Sequence, residues 1–405
     1  MKQKVIIIGG GAAGFFAAIT IAETNPNLEV LILEKGDRVL QKVKISGGGR
    51  CNVTHACFTP SELIENYPRG EKELLGPFHQ FMTGDTMEWF ENRGVPLKVE
   101  EDNRVFPESN SSQTIMNCLT SSAADAGVKL ILNQNVENIE KKNSQFVIKT
   151  NSQEFIADKL LIASGSNPKI WRLIGNLGHT IIDPVPSLFT FNISDNRIKD
   201  IPGVSVPNAT VSIMDTKFEN SGPVIITHWG ISGPAVLKLS SLGAVFLANK
   251  NYQYQVRVNW LSKSFDTVLL YLKKSKKENP KKQIIVKSSF KDIPKRLWEK
   301  LALAAEINLD QRWADVSNKQ LESLSNQLTN TIFDAYGKTT FKEEFVTAGG
   351  VDLKEINFKR FESKINENLF FAGEVLNIDA VTGGFNFQNA WTGGFITGKA
   401  IAASI

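Results

Sequence analysis

The stretch VIIIGGGAAG at residues 5–14 decides the fold, because it joins a strand to a helix through a glycine-rich turn. Its four leading residues are all β-branched, which is typical of a parallel strand buried on both faces. The turn matches G-x-G-x-x-G. In such a turn Gly9 allows the tight bend, Gly11 lets the backbone approach a pyrophosphate, and Gly14 lets the helix pack on the strand. The stretch therefore predicts a dinucleotide-binding unit.

The sequence that follows has the context that this turn requires. A helix predicted from Ala12 to about Glu23 would direct its amino-terminal N–H groups and its dipole toward the phosphates. Residues 28–33 read as the next strand, and Glu34 closes it, twenty residues beyond the last glycine. An acidic residue at this spacing is expected to bind the ribose hydroxyls of an adenosine. The first 35 residues leave open whether the dinucleotide is FAD or NAD.

A second glycine-rich loop, SGGGRCN at residues 46–52, favours FAD. Three consecutive glycines permit positive φ angles, and their N–H groups can form an anion-binding nest. Arg50 adds a fixed cationic fork behind that nest. Cys51 is expected to be a small packing residue, since free cysteines are usually buried hydrophobes. A second phosphate or ring contact so soon after the first suits a large, extended cofactor.

Two later strands also end in glycine. Residues 158–165 end in Ala-Ser-Gly, similar to the return strand of flavoproteins with two dinucleotide-binding domains. Residues 369–374 form a short apolar strand that ends in Gly-Glu, and TGGFN at 382–386 opens a helix of about twenty residues. A helix start aimed at the flavin pyrimidine would stabilise negative charge at the N1/O2 edge of the ring.

Taken together, these motifs resemble the BaiN-like (YhiN-type) family of FAD-dependent oxidoreductases over essentially the whole length. The motifs that carry the resemblance are residues 9–14, 46–52, THWGISGP at 227–234, TAGGV at 347–351, and 371–388. The resemblance implies non-covalent FAD, held by a discontinuous domain that carries a large insert. It also implies that Glu34 binds the adenosine ribose, that Val136 lies near the adenine, and that Glu374 and Asp379 hold the ribityl or phosphate region.

The motifs and the resemblance together define a predicted cofactor site without a metal. The resemblance implies that Arg50 and its glycines surround the pyrophosphate and flavin, and that residues 384–386 reach the isoalloxazine edge. The predicted cofactor-binding residues are Gly9, Gly11, Ala12, Ala13, Gly14, Glu34, Lys35, Lys42, Ser46, Gly47, Gly48, Gly49, Arg50, Cys51, Asn52, Val136, Ala163, Ser164, Gly165, Gly373, Glu374, Asp379, Gly383, Gly384, Phe385 and Asn386.

The cofactor motifs lie at both ends of the chain, so the expected fold is an α/β protein with a Rossmann-like FAD-binding domain built from two segments, 1–185 and 346–405. The inserted domain is predicted over 186–345. Short alternating strands predict a β-barrel-like part over about 186–262, and helical periodicity predicts a helical part over about 263–345.

Composition narrows the class of protein further. The 405 residues carry 46 basic and 42 acidic side chains, a net charge of +4. Three cysteines without Cys-x-x-Cys spacing argue against a disulfide scaffold or a structural zinc site. No run of 18 apolar residues occurs, so no membrane span is predicted. Four glycines interrupt the apolar amino terminus, which argues against a secretory signal. A cytoplasmic protein is expected.

The charge is concentrated in one window. Residues 273–296 contain nine lysines and one arginine against two acids, a net charge of +8, so the remainder sums to −4. Such a window can attract RNA or an acidic partner. It has few interleaved aromatic residues, and a solvated helix face is the favoured interpretation over a nucleic-acid surface.

The expected activity is that of an FAD-dependent oxidoreductase that moves hydride through flavin N5 to or from a small organic substrate, with NAD(P)H as a possible transient donor. Two alternatives stay open: a flavin-dependent RNA-modifying protein, and an FAD-bound redox-sensing or interaction protein. His228 is the candidate catalytic residue, because it lies in a turn fixed by glycine and proline, where an insert could cap the flavin. The sequence leaves the oligomeric state open.

Overall fold

A computed structural model describes residues 2–308, 310–339 and 346–403. The chain divides into two compact units. The first comprises Met1–Val185 with Lys342–Ile405, and the second comprises Pro186–Phe341. Within the described residues, no helix is long and apolar enough to span a bilayer.

The described strands and helices are named here in chain order. The strands are β1 Lys4–Ile8, β2 Glu29–Leu33, β3 Thr54–His55, β4 Leu97–Val99, β5 Arg104–Pro107, β6 Lys129–Ile131, β7 Val136–Lys142, β8 Gln145–Thr150, β9 Glu154–Ala157, β10 Lys159–Ile162, β11 Ile181–Ser187, β12 Thr190–Ile193, β13 Ser205–Ile213, β14 Glu219–Ile226, β15 Gly230–Ser232, β16 Gln253–Asn259, β17 Thr331–Thr339, β18 Val346–Val351, β19 Ile356–Asn357, β20 Glu362–Ser363 and β21 Leu369–Phe371. The helices are α1 Ala12–Thr24, α2 Gln41–Gly49, α3 Pro60–Ile64, α4 Glu71–Phe78, α5 Thr83–Glu91, α6 Ser112–Asp125, α7 Pro168–Asn176, α8 Pro234–Leu242, α9 Ala244–Asn249, α10 Phe265–Glu278, α11 Lys295–Ala304, α12 Asn318–Thr329 and α13 Phe385–Ala403.

The first unit is organised by a seven-stranded sheet in the order β19-β20-β21-β10-β1-β2-β6. The five strands from β21 to β6 are parallel, and β1 lies at their centre, between β10 and β2. The residues of β1, β2, β10 and β21 are almost all buried, as the continuous apolar runs predict, whereas β6 at the edge of the sheet is largely exposed. The carboxyl ends of parallel strands meet at one edge of the sheet, and in open α/β sheets ligands bind at that edge.

Helices α1 and α13 pack against each other beside this sheet. A Cβ on Gly394 would lie 2.9 Å from the Ala13 carbonyl oxygen, and one on Gly398 would lie 2.6 Å from the Thr20 Cβ. The two backbones therefore approach closely because both positions on α13 lack a side chain. The last helix of the chain is thus fixed against the first.

The second unit contains a closed barrel of six strands in the order β12-β15-β14-β13-β16-β17, with every neighbouring pair antiparallel. Its core includes Phe191, Val211, Val256 and Phe333, which are all buried. These observations confirm the predicted Rossmann-like α/β fold with an inserted barrel.

The helical part predicted for about 263–345 is wrong over residues 331–339. Helices α10, α11 and α12 occupy most of that range, but Thr331–Thr339 form the barrel strand β17. Thr331, Phe333 and Ala335 are buried while the residues between them are exposed, which is the two-residue period of a strand. Residues 340–345 of the prediction lie outside the described residues.

Candidate cofactor site

The first glycine turn sits at the carboxyl end of β1. A Cβ on Gly9 would lie 2.4 Å from the Ala163 carbonyl oxygen, and one on Gly14 would lie 2.1 Å from the Gly9 oxygen. Both positions are therefore fixed by close packing. A Cβ on Gly11, in contrast, would meet no atom within 4 Å. Gly11 is also the N-cap of α1, so no capping side chain satisfies the first N–H groups of the helix.

Glu34 braces this turn from the neighbouring strand. Its Oε2 accepts a hydrogen bond from the Gly10 N–H, and its Oε1 accepts one from the Gly36 N–H, both at 2.9 Å. A carboxylate has further lone pairs for ribose hydroxyls. The Gln134 N–H donates to the Glu34 carbonyl at 2.8 Å, so the chain that leads into buried Val136 runs beside Glu34. Lys35, next along the chain, is exposed.

The loop at residues 46–52 leaves helical geometry at the end of α2. Ser46 is extended, and Gly47, Gly48 and Gly49 have φ of 58°, 69° and 84°. Gly49 has a positive φ and the next residue, Arg50, is right-handed, and successive residues of opposite hand direct their N–H groups to one side, so this backbone suits an anion-binding nest. A Cβ on Gly48 or Gly49 would meet no atom within 4 Å. The loop thus leaves space beside its backbone.

Arg50 is held by the hairpin of β4 and β5. Its Nη1 donates to Glu100 Oε1 at 2.7 Å, and its guanidinium lies 3.9 Å from the centre of the Phe106 ring. Cys51 is fully buried, and burial raises the pKa of its thiol to about 12. The thiol is therefore protonated at neutral pH, and Cys51 packs in the core of the first unit.

The ends of β10 and β21 bring further predicted residues to the same edge of the sheet. The Ala163 N–H donates to the Ile8 carbonyl at 2.9 Å, and the Ala372 N–H donates to the Ile162 carbonyl at 3.1 Å. A Cβ on Gly373 would lie 3.2 Å from the Ala13 Cβ, so Gly373 is directly beside the start of α1.

Glu374 connects three of the motifs at this edge. Its carboxylate forms an ion pair with Lys42 of α2 and accepts the Thr347 N–H at 3.3 Å. A Cβ on Gly165, which has a φ of 61°, would lie 3.7 Å from Glu374 Oε2. Lys42 and Gly165 therefore both lie beside Glu374. Ser164, which precedes Gly165, is half-buried.

The glycines at the start of α13 pack against the segment that follows the second loop. A Cβ on Gly384, which has a φ of 97°, would lie 2.6 Å from both the carbonyl carbon and the carbonyl oxygen of Thr54 and 2.9 Å from Asn52 Oδ1. Asn52 Oδ1 is buried and has no hydrogen-bond partner among the described residues. Motifs more than 300 residues apart in sequence therefore form one surface, with an unsatisfied acceptor in it.

A buried polar network holds these two segments together. Thr54 and Thr86 both donate to Gln388 Oε1, at 2.6 and 3.0 Å, and Gln388 Nε2 donates to Thr392 Oγ1 at 3.0 Å. All four side chains are fully buried. Hydrogen bonds of this kind are costly to break in the protein interior, so the network sets the position of the loop on the helix.

His55 lies at the same end of α13 and was not predicted as a site residue. Its ring stacks on Phe385 with the centres 4.5 Å apart, and its Nδ1 is 3.1 Å from the Gly383 carbonyl oxygen. Its position three residues after Asn52 was the available sequence signal. The phenol of buried Tyr67 donates to the Phe385 carbonyl at 2.6 Å, and burial raises the Tyr67 pKa well above its usual range.

Two predicted residues have structural partners of their own. Asp379 is fully buried, and its carboxylate accepts both hydrogen bonds of a bidentate ion pair from Arg69, which the sequence did not single out. The Asn386 side chain accepts from the Ala380 N–H at 3.0 Å and donates to the Ala380 carbonyl at 3.1 Å. Both contacts shape the turn before α13, and a direct role of these side chains in cofactor binding stays a prediction.

His228, the predicted catalytic residue, belongs to the second unit. It is exposed beside Trp229 at the tip of the hairpin between β14 and β15. The Thr227 N–H donates to the Gly230 carbonyl at 2.8 Å, and the Trp229 N–H donates to Thr227 Oγ1 at 3.2 Å. The turn is therefore tight, and the catalytic role of His228 stays a prediction.

The first unit fits an extended dinucleotide. Open backbone faces at Gly11, Gly48 and Gly49 are combined with the unsatisfied Asn52 acceptor, and two helices begin at this edge of the sheet. Helix amino ends stabilise negative charge, as pyrophosphate and a reduced flavin carry. The residues at 9–14, 34 and 46–52 would hold the nucleotide part, and the start of α13 would face the ring.

Known proteins resemble this chain over its whole length. A ribosomal RNA dihydrouridine synthase from Haemophilus influenzae is 28% identical, with 98% of each chain covered. A 3-dehydro-bile acid delta(4,6)-reductase from Clostridium scindens is 27% identical, with 99% of each chain covered.

The fold also resembles that of a 3-ketosteroid-delta4-(5alpha)-dehydrogenase from Rhodococcus jostii RHA1. The TM-score is 0.53 at 14% identity, with 99% of this chain and 97% of that chain covered. The model of the HI0933-like protein Rossmann domain matches residues 3–400. This match spans nearly all of the sequence and confirms the family resemblance found in the motifs, so the chain belongs to the HI0933-like family of FAD-dependent flavoproteins.

Proposed function

We propose that this protein is an FAD-dependent reductase that saturates a carbon–carbon double bond conjugated to a carbonyl group. The names of the two full-length relatives support this chemistry. Dihydrouridine differs from uridine by two hydrogens across one ring double bond, and a delta(4,6)-reductase reduces ring double bonds. Both substrates thus present the same kind of polarised double bond.

The contact between Gly384 and residues 52–54 is the observation that carries the proposal. It brings the start of α13 and the loop at 46–52 to one surface at the ligand-binding edge of the sheet. When bound there without a covalent bond, FAD would accept hydride from NAD(P)H and deliver it to one carbon of the double bond, while a proton adds to the other carbon.

The residues of the first unit would bind FAD and orient its ring. Glu34 would hold the adenosine ribose, and the N–H groups at the start of α1 would face the pyrophosphate. The start of α13 would lower the energy of negative charge at the ring edge. We propose His228 as the group that supplies the proton, because its imidazole is exposed in a tight turn and histidine is the side chain that most often serves as a general acid.

We propose a uridine of structured RNA as the substrate. The identities of the two relatives differ by one percentage point and do not decide between RNA and a small molecule. The positive window at 273–296 in a chain whose remainder is net negative favours the anionic polymer. A small unsaturated ketone is the second candidate, and the full-length match to a bile acid reductase favours it.

Three measurements test the proposal. The purified protein should show a flavin absorbance spectrum, and acid denaturation should release FAD from the precipitated chain. Anaerobic NADH or NADPH should bleach that spectrum, and uridine-containing ribosomal RNA lacking dihydrouridine should restore it and gain dihydrouridine, detected by mass spectrometry. Reoxidation by an unsaturated ketone alone would favour the second candidate. Reduced flavin that neither substrate reoxidises would overturn the proposal in favour of a redox-sensing protein.

A further inference from the structure

The helical part of the second unit contains a groove with a volume of about 770 Å³ between α10 and the start of α12. Four lysines line it, namely Lys273, Lys274, Lys276 and Lys277. The described lining residues include no acidic side chain. The groove therefore contains the lysines at the amino-terminal end of the positive window at 273–296.

The packing of α10 fixes the direction in which these lysines point. Val268, Leu272 and Ser275 are buried on the inner side of the helix. Lys273 and Lys277 lie one turn apart on the groove side, about 6 Å along the helix axis. The Lys276 ammonium donates to the Val316 carbonyl and so ties α10 to the segment before α12.

The remaining ammonium groups are accessible to an anion. Lys274 and Lys277 are exposed, and Lys273 is half-buried. Lys274 has a contact with Glu278 at 3.7 Å, but both side chains are more than half exposed, and such pairs contribute little. A phosphate can therefore replace Glu278 as the partner of Lys274.

Apolar side chains stand beside the lysines. Leu270 lines the groove and is 68% exposed, and Tyr271 is 47% exposed. The Tyr271 ring is tilted against Phe290 with the centres 4.9 Å apart, which supports it from one side. Tyr271 lies outside the groove lining but follows Leu270 directly on α10, and an unpaired base can stack on an exposed ring that is supported in this way.

We propose that this groove, lined by Lys273, Lys274 and Lys277 with Tyr271 at its side, is an RNA-docking surface that holds phosphates of a structured RNA. The inference rests on the proposed function for its choice of RNA as the anionic partner. The surface supplies charge and stacking without reading base edges, so it positions RNA and does not select a sequence. A concave groove suits a phosphate chain, whereas a lipid surface binds a convex amphipathic face.

The test compares two variants with the same charge change. Lys273, Lys274 and Lys277→Glu is the groove variant, and Lys72, Lys199 and Lys217→Glu is the control, at exposed lysines outside the groove. Binding of a fluorescent uridine-containing hairpin transcript to the FAD-loaded protein is followed by anisotropy as salt is raised. Thermal unfolding of each variant establishes that it is folded.

We expect the groove variant to bind at least tenfold more weakly at low salt. The slope of log K against log salt concentration should be shallower by about two to three, since each lost phosphate contact removes roughly 0.7 to 0.9 from that slope. Tyr271→Ala should weaken binding about fivefold or more, and more strongly for single-stranded than for paired RNA. Equal affinity of the groove variant and the control would overturn the proposal. Binding to phosphatidylserine vesicles without binding to RNA would assign the surface to lipid instead.

The same variants separate this inference from the proposed function. NAD(P)H should bleach the flavin of the groove variant as fast as that of wild type, because the groove supplies no cofactor contact. Loss of RNA affinity in a variant with normal bleaching supports the docking surface. A protein that binds RNA through the groove but forms no dihydrouridine would overturn the proposed substrate and leave the docking surface standing.

Discussion

Gly384 lies so close to Thr54 that a Cβ on Gly384 would stand 2.6 Å from the carbonyl carbon and oxygen of Thr54. This contact joins the last helix of the chain to the loop after α2. Because the neighbour is backbone and cannot rotate away, the contact can exist only with glycine at position 384.

Gly384→Ala should therefore damage the cofactor site. A positive φ of 97° and the clash with Thr54 together should cost about 1–3 kcal/mol or more of folding free energy. We expect a lower urea midpoint and a purified protein with much less FAD. Gly84→Ala, in α5, is the matched control: its Cβ would meet only Phe58, at 3.9 Å, and its stability should be unchanged or slightly raised. Wild-type FAD content in Gly384→Ala would contradict the prediction.

Glu34→Ala should weaken FAD binding by roughly tenfold to a hundredfold, because a charge-assisted contact to the ribose contributes about 1.5–3 kcal/mol. The structure adds a second loss, since the carboxylate also accepts the Gly10 and Gly36 N–H groups. Fluorescence titration of the apoprotein with FAD measures the change, with Glu91→Ala at an exposed site as the control. An unchanged dissociation constant in a folded Glu34→Ala protein would remove Glu34 from the site.

The glycine turn at residues 9–14 could be predicted from the sequence, because the steric roles of its glycines are local. The roles of Gly9, Gly11 and Gly14 depend on neighbours close in sequence and on the end of one adjacent parallel strand, β10. The Arg69–Asp379 pair, in contrast, joins residues 310 positions apart, and no spacing rule indicates it. His55 was missed for the same reason, since Phe385 and Gly383 become its neighbours only in the folded chain.

The strand β17 was not predicted, although the two-residue period of a strand is present in its sequence. Thr331, Phe333 and Ala335 alternate with exposed residues, but they directly follow the helical periodicity of α12. Only the barrel, in which β17 pairs with β12 and β16, gives these nine residues their strand geometry. Tertiary pairing thus decides between helix and strand where a short pattern is ambiguous.

Arg69→Met should destabilise the protein strongly, because it removes the cation that pairs with the buried Asp379 carboxylate. Removing one partner of a buried ion pair costs about 3–5 kcal/mol. The double variant Arg69→Met with Asp379→Leu should recover a large part of that loss, since no charge is left uncompensated. Urea unfolding measures the free energy of unfolding of the wild type, the single variant and the double variant. A double variant as unstable as the single one would show that the pair does more than balance its own charges.

The double variant also tests whether Asp379 contacts the cofactor. If the carboxylate only pairs with Arg69, the folded double variant should bind FAD as wild type does. A large loss of FAD affinity at near-normal stability would place Asp379 in the binding site, as the family resemblance implies. Asp379 is fully buried.

Stability should fall in mildly acidic solution because of His179. Its side chain is fully buried, its Nδ1 lies 2.8 Å from Glu355 and its Nε2 lies 2.9 Å from Ser363 Oγ. Ser363 Oγ already accepts two backbone N–H groups, so its hydrogen is directed to Nε2, which favours neutral imidazole. Burial lowers the His179 pKa below 6.5, although Glu355 opposes this shift.

The direction of this change in stability follows from the difference in proton uptake between the unfolded chain and the folded protein. Below about pH 6.5 the unfolded chain protonates this histidine before the folded protein does, so stability decreases as pH falls, by up to about 1.4 kcal/mol per pH unit. The folded Glu355 pKa is lowered below 4.5, because hydrogen bonds from Thr180 and His179 outweigh burial, so its contribution is lost only at lower pH. Urea midpoints between pH 5 and 8 should show a smaller decline for His179→Gln. Parallel curves for the two proteins would contradict this prediction.

His228→Ala should slow substrate reduction and leave the rest of the protein intact. The imidazole is exposed at the hairpin tip. The turn is held by the backbone of Thr227 and Gly230 and by Thr227 Oγ1. Removal of the imidazole should therefore not change the unfolding temperature or the FAD content. A missing general acid typically slows proton transfer by about 10²- to 10⁴-fold. Stopped-flow bleaching by NAD(P)H should therefore be normal, while reoxidation by substrate should be slow. Trp229→Ala, next to His228 in the same turn, is the control for a general disturbance of the hairpin, and its reoxidation by substrate should stay close to the wild-type rate. If reoxidation of His228→Ala is as fast as in wild type, the proton comes from another group and the hairpin is only a corner of the barrel.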